Sequence, residues 1–135
     1  MKRKNLKEKS NKKLGNDFEK ELSIFFGQKH CWVHNFASKQ EGQPADLIIV
    51  TKGHAYLMDA KVCSNDVFVT SRIEPNQHTA MNWWYLLNDE PGWFALKTSQ
   101  GIYVADYPTL SDMTKVTDFS QFPTLEQWCE NHNIQ

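Results

Sequence analysis

Between Ala45 and Val62 the chain sets two apolar runs around a tight turn: Ala45-Asp46-Leu47-Ile48-Ile49-Val50, then Thr51-Lys52-Gly53-His54, then Ala55-Tyr56-Leu57-Met58-Asp59-Ala60-Lys61-Val62. Runs joined so closely predict an antiparallel β-hairpin. The second run carries Asp59 and Lys61 two residues apart, hence on one face of a strand, with Ala60 on the other. Charges inside an otherwise apolar strand are costly to desolvate unless they face a pocket, each other or a metal. Asp46 opens the partner strand, where its carboxylate can lie near that of Asp59. Those two carboxylates and the backbone carbonyl of Ala60 make a hard-oxygen set suited to Mg2+. The plainer alternative is a structural Asp59–Lys61 ion pair at the sheet margin.

Around the hairpin, the spacing of Leu14, Phe18, Leu22, Phe25 and Phe26 predicts an amphipathic helix of about 12 residues, opened by Gly15-Asn16-Asp17 and ended near Gly27, with Glu19 beside its apolar stripe. Cys31 to Ala37 reads as a strand and Ser38 to Pro44 as a loop. A turn at Ser64-Asn65-Asp66 leads to an extended piece, Val67 to Thr70, and then to a helix from Pro75 through Leu87. Trp93 to Lys97 and Ile102 to Tyr107 form a second strand pair, and Thr124-Leu125-Glu126-Gln127 carries the Thr-x-x-Gln pattern of a capped helix start. The order is helix, three strands, helix, two strands, helix, which predicts an α/β or α+β domain with a mixed sheet flanked by helices.

At 135 residues the chain has room for one core, and no apolar run reaches the roughly 18 to 20 residues of a membrane span. With a lysine-rich start that lacks a signal-peptide apolar stretch, this reads as a cytoplasmic protein with no membrane partner. Charge is unevenly placed. Met1 to Lys13 holds seven basic residues and one acid, leaving 8 basic and 15 acidic side chains in the other 122 residues. Residues 1–13 therefore read as a flexible basic arm and 14–135 as a single domain. Lys2, Arg3, Lys4, Lys12 and Lys13 are candidates for gripping phosphate, the alternative being a solvated terminus that aids solubility.

Gln43-Pro44-Ala45-Asp46 followed by Asp59-Ala60-Lys61, with Phe18-Glu19 upstream, resembles the PD-(D/E)xK nuclease superfamily, whose core is restriction-endonuclease-like. Within it, Gly15-Asn16-Asp17-Phe18-Glu19 is similar to the first helix of archaeal-type and RecU-type Holliday junction resolvases. Ser71-Arg72-Ile73-Glu74-Pro75-Asn76-Gln77 is similar to the segment after their catalytic strand. The resemblance implies Glu19, Asp46 and Asp59 as metal-binding acids, Lys61 as the catalytic lysine and Gln77 as a supporting group. It further implies Mg2+ as cofactor, with Mn2+ substituting, DNA as partner and phosphodiester hydrolysis as the reaction. Three features depart from those relatives: Asp59 stands where many have Glu, the loop before Asp46 is short, and the body is acidic.

Ser38 and Lys39 in that loop, together with Lys52 and Arg72, are further candidate DNA contacts, though single surface cations are usually solvated charge. Cys31, His34 and His30 lack a second pair at zinc-finger distance, and His132-Asn133 reads as a helix end. The crowded Trp83-Trp84-Tyr85-Leu86-Leu87 reads as core packing plus a dimer surface rather than a base-stacking platform. The expected activity is a Mg2+-dependent, Holliday junction resolvase-like DNA endonuclease acting as a homodimer on branched DNA. A duplex, flap or single-strand nuclease of the same superfamily and a catalytically inactive DNA-binding module are the competing readings.

Overall fold

The computed structural model describes residues 2–36 and 45–135, with the backbone alone for 2–10. The hairpin forms as its sequence dictates. β2 (Leu47–Thr51) and β3 (His54–Val62) pair antiparallel, with Thr51 opposite His54. The two turn residues, Lys52 and Gly53, both take positive φ, the conformation whose twist matches flanking strands and which glycine adopts without strain.

β1 (Trp32–Asn35) adds outside β2, while β5 (Trp93–Thr98) and β6 (Gly101–Asp106) extend the sheet beyond β3, giving the order β1-β2-β3-β5-β6. Among the described residues only β3 and β5 run parallel. Such a pair needs a crossover, which α2 (Pro75–Asn88) supplies. β4 (Phe68–Val69) and β7 (Lys115–Val116) form a separate two-stranded sheet. β7, the short helix α3 (Tyr107–Ser111) and the small sheet itself carry no periodic signal long enough to be predicted from sequence.

Two buried clusters lie on opposite faces of the main sheet. On one, Phe18, Leu22 and Phe26 of α1 and Leu125, Trp128 and Cys129 of α4 (Leu125–Asn131) cover Leu47, Ile49, Met58, Ala95 and Val104. On the other, Phe68, Ile73, Met81, Leu110 and Val116 cover Leu57, Phe94, Leu96 and Ala105. α4 opens with the expected capping box, Gln127 N donating to Thr124 Oγ1 and Thr124 N to Gln127 Oε1. His132 caps its end, as the sequence predicts.

Helix α1 starts earlier than the apolar spacing predicts. It runs unbroken from Lys2 to Gln28, so the helical backbone extends N-terminally past the expected start at Gly15-Asn16-Asp17. Apolar periodicity marks only the turns that pack. Lys, Arg, Leu and Glu upstream are good helix formers that need no packing to propagate a helix already nucleated downstream. No helix of the described residues is long and apolar enough to cross a membrane.

Two glycines report opposite constraints. Gly15 lies inside α1 with nothing within 4 Å of where a Cβ would sit, whereas a Cβ at Gly92 would run into Sδ of the fully buried Met81. Gly15→Ala should therefore stabilise the fold by about 0.5–1 kcal/mol through helix propensity. Gly92→Ala should destabilise it by about 1–3 kcal/mol through overpacking, and urea unfolding of the two variants checks both signs.

Candidate active site

The sheet, α1 and the start of α2 meet around a cleft of about 930 Å³. Glu19 reaches it from α1, Asp46 from the residue before β2, Asp59, Ala60 and Lys61 from β3, and Gln77 from the first turn of α2. All five side chains named from the sequence as catalytic line this one cavity. Strand alternation explains half of the convergence: Asp59 and Lys61 follow Leu57 on the face toward α2, while Met58, Ala60 and Val62 face α1.

Asp59 is 1% exposed. Its Oδ1 accepts from Nε2 of Gln77 at 3.0 Å, and its Oδ2 lies 3.2 Å from Nζ of Lys61. That second contact is an ion pair without hydrogen-bond alignment, so a buried carboxylate oxygen remains without a donor. Gln77 Oε1 accepts from Lys61 Nζ at 3.4 Å and from the backbone N–H of Glu74 at 3.1 Å. The amide that closes the first turn of α2 thereby also holds the aspartate and the lysine.

Asp46 is tied to β3 in another way. Its Oδ2 accepts from the backbone N–H of Ala60 at 2.8 Å, standing in for a sheet bond just beyond the last paired residues, Leu47 and Met58. Within an extended strand the N–H and C=O of one residue point to the same side, so the Ala60 carbonyl projects from this edge too.

The carboxyls crowd one another. Burial first, then a hydrogen bond and charge repulsion from Asp46, push Glu19 up to about 8. Burial and the Asp46 carboxyl raise Asp59 well above the ordinary carboxylate range, with Lys61 pulling the other way. One ammonium does not offset three acids. Among the described residues no three His, Cys, Asp or Glu side chains form a ready-made metal cage. The orphaned Asp59 Oδ2, the crowded carboxyls and the exposed strand edge nevertheless fit a hard divalent ion that keeps several waters and takes one or two carboxylates, as Mg2+ does. Glu19, Asp46, Asp59 and the Ala60 carbonyl are the groups that could hold it.

The cations named from sequence divide. Lys12 and Arg72 line the cleft, one from α1 and one from the turn before α2. Arg72 is fixed in place, Nη1 donating to Val62 O at 2.9 Å with its guanidinium 5.5 Å from the Phe68 ring centroid. Lys13 is exposed on α1 and Lys52 in the hairpin turn, and neither lines the cleft. The side chains of Lys2, Arg3 and Lys4, and all of Ser38 and Lys39, lie outside the described residues. Sequence reasoning missed Asn11, Asn16, Ser64 and Glu74 on the cleft wall. Of these only Glu74 carried a readable signal, the Glu-x-x-Gln spacing with Gln77 ahead of a helix.

No family model matches this sequence, and no curated protein matches it. Among solved structures, the fold is similar to that of Hjc from Archaeoglobus fulgidus, a Holliday junction resolvase from an archaeal hyperthermophile. The TM-score is 0.65, with 10% identity, over 85% of this chain and 98% of that one. The fold is nuclease-like. In its mixed, helix-flanked sheet it is the restriction-endonuclease-like core expected from the sequence, and at this identity the likeness concerns the fold alone.

The raised acids have a measurable consequence. For Glu19 the folded-state value, about 8, exceeds the reference 4.5, so the folded chain binds the extra proton. That contribution to stability is complete below the reference value and is lost as pH rises through about 8. In EDTA, the melting temperature should fall between about pH 5 and pH 8, and Glu19→Gln should flatten the fall. Equal slopes in the two proteins would contradict the crowding described here.

Proposed function

We propose that this chain is a Mg2+-dependent DNA endonuclease, resolvase-like in its preference for branched DNA and active as a homodimer. The observation that carries the reading is the meeting of Glu19, Asp46, Asp59, Lys61 and Gln77 in one cleft of a nuclease-like fold. A surface that only bound DNA would gain nothing from three acids facing a polyanion.

Each residue has a part in hydrolysing a phosphodiester. Glu19, Asp46, Asp59 and the Ala60 carbonyl hold the cation, which when bound polarises a phosphoryl oxygen and makes a water more acidic. Lys61, a compact charge held 3.2 Å from Asp59 and 3.4 Å from Gln77, orients the attacking water and offsets negative charge developing on the phosphate. The attacking water gives up one proton to solvent as its oxygen bonds to phosphorus, one ester P–O bond breaks, and the leaving oxygen takes a proton from solvent. Gln77 is a positioning residue: it holds Asp59 and Lys61 and touches no reacting atom. Lys12 and Arg72 flank the cleft where the neighbouring phosphates of a bound strand would run.

Paired cutting of a branched molecule needs two sites, which is the reason to expect two copies. The likeness to a Holliday junction resolvase supports branched DNA as the substrate, while the acidic body favours a small contact area around the cleft over a broad basic face.

The test is cleavage of labelled four-way junction, flap, linear duplex and single strand with Mg2+, Mn2+ or EDTA. Symmetric nicking confined to the junction, abolished by EDTA and lowered at least ~100-fold in Lys61→Ala, is the expected result. Metal-dependent cutting of the other forms would keep the chemistry and discard the junction preference. Tight binding without cutting in any metal would overturn the enzyme in favour of a binding module.

A further inference from the structure

The helix that delivers Gln77 is lightly held. Gln77, Met81, Trp84 and Asn88, spaced by four, three and four residues, fall on one line along α2 and attach it to the sheet. Gln77 and Met81 are buried, Trp84 is half-buried, and Asn88 Nδ2 donates to Ala55 O at 3.3 Å. The core packing expected of the run from Trp83 to Leu87 falls to Trp84, because Trp83, Tyr85, Leu86 and Leu87 are exposed. A helix fastened along one line can rock about it, and the flexible side chain of Met81 adapts to such movement more readily than it opposes it. Rocking by about 10° would carry a side-chain tip by ~1 Å. Gln77 has no such margin, since its oxygen is already 3.4 Å from Lys61 Nζ and its nitrogen 3.0 Å from Asp59 Oδ1.

A second line of α2, about 100° around the helix, removes that freedom. It holds His78 and Asn82, each one residue beyond Gln77 and Met81. Nδ1 of His78 lies 2.6 Å from Oη of Tyr107, the two rings meeting edge to face, and Asn82 hydrogen-bonds to the same oxygen. One hydroxyl thereby grips two successive turns. Tyr107 is itself fixed. It is buried, its ring lies 6.3 Å from that of Phe94 on β5, and its N–H donates to Gly92 O at 2.9 Å. The helix it opens, α3, is capped by Asp106 at the end of β6, whose carboxylate accepts from Thr109 N at 2.9 Å.

From this geometry we infer that Tyr107 is a positioning residue for the cleft: its hydroxyl, through His78 and Asn82, fixes the rotation of α2 at which Gln77 reaches both Asp59 and Lys61. The expected effect on rate rests on the nuclease reading, whereas the placement of Gln77 does not. Tyr107 lines no part of the cleft. Phenylalanine in its place would keep the ring against Phe94, so the oxygen alone is at issue.

The test is the cleavage kinetics of Tyr107→Phe on whichever labelled DNA the wild type cuts. The turnover number should fall at least ~10-fold with KM unchanged, the signature of a misplaced group and not of lost substrate binding. In Gln77→Ala protein the same substitution should cost nothing further, because the amide it positions is gone. Asn82→Ala, a change at an exposed position, should repeat both results more weakly and serves as the second variant should Tyr107→Phe misfold. A readout free of catalysis comes from the proton–nitrogen correlation spectrum in EDTA. There the side-chain amide signal of Gln77, identified by its loss in Gln77→Ala, should shift in Tyr107→Phe. A wild type that cuts no DNA would sink the nuclease reading and leave the amide signal to decide the placement. An unmoved amide signal would overturn the inference. So would an active enzyme whose turnover is unchanged by Tyr107→Phe, or lowered equally with and without Gln77.

Discussion

A carboxylate in the central strand of a sheet, sealed from water, would ordinarily cost several kcal/mol. Asp59 is such a group, and much of the surrounding architecture answers that cost. Lys61 follows on the same face to supply charge, and α2 begins where it does because Gln77 must reach both. The parallel pairing of β3 with β5 requires a crossover, and the crossover helix delivers the amide. Topology and site are thus linked through one side chain: moving the start of α2 by a residue would break its first-turn hydrogen bond and the support of Asp59 together.

Asp46 solves a second problem with the same economy. The β2 and β3 ladder ends at Leu47 and Met58, and the next N–H on β3 would point into the cleft. The Asp46 carboxylate takes that donor, so the end of the sheet and the acid cluster are joined by a hydrogen bond to the main chain. A main-chain anchor cannot rotate away as a side-chain partner could, and the spacing between Asp46 and Asp59 follows from backbone registry.

The hairpin, both its acids and the lysine were legible in the sequence because each depends on short-range rules: alternation, a two-residue turn, and the cost of charge in an apolar run. The boundaries of α2 and the capped start of α4 were legible for similar reasons, from Pro75 and from Thr124 with Gln127. What escaped depends on distant contacts. The small β4 and β7 sheet joins residues far apart in sequence, and its two-residue strands carry no period. Which of the residues from Trp83 to Leu87 are buried and which exposed depends on how much of the sheet α2 covers, which no local pattern encodes. The helical backbone of 2–13 escaped because charged residues propagate a helix without leaving an apolar stripe. That Asp46 would raise the proton affinity of Glu19 and Asp59 was implicit in their types but needed their proximity to become visible.

The amide of Gln77 has a defined sense. Its oxygen faces two donors, the Glu74 N–H and the Lys61 ammonium, while its nitrogen faces an acceptor on Asp59. Turning the group over would set NH2 against both donors and oxygen against a carboxylate, spoiling three contacts at once. A carboxylate at this position would keep the first two contacts and repel the third, and a shorter amide would have to reach from a backbone one methylene further away. The position therefore discriminates by polarity and by length simultaneously, so a side chain of equal bulk is no substitute for glutamine. Of the residues around the cleft it is the one whose identity the surroundings determine most narrowly.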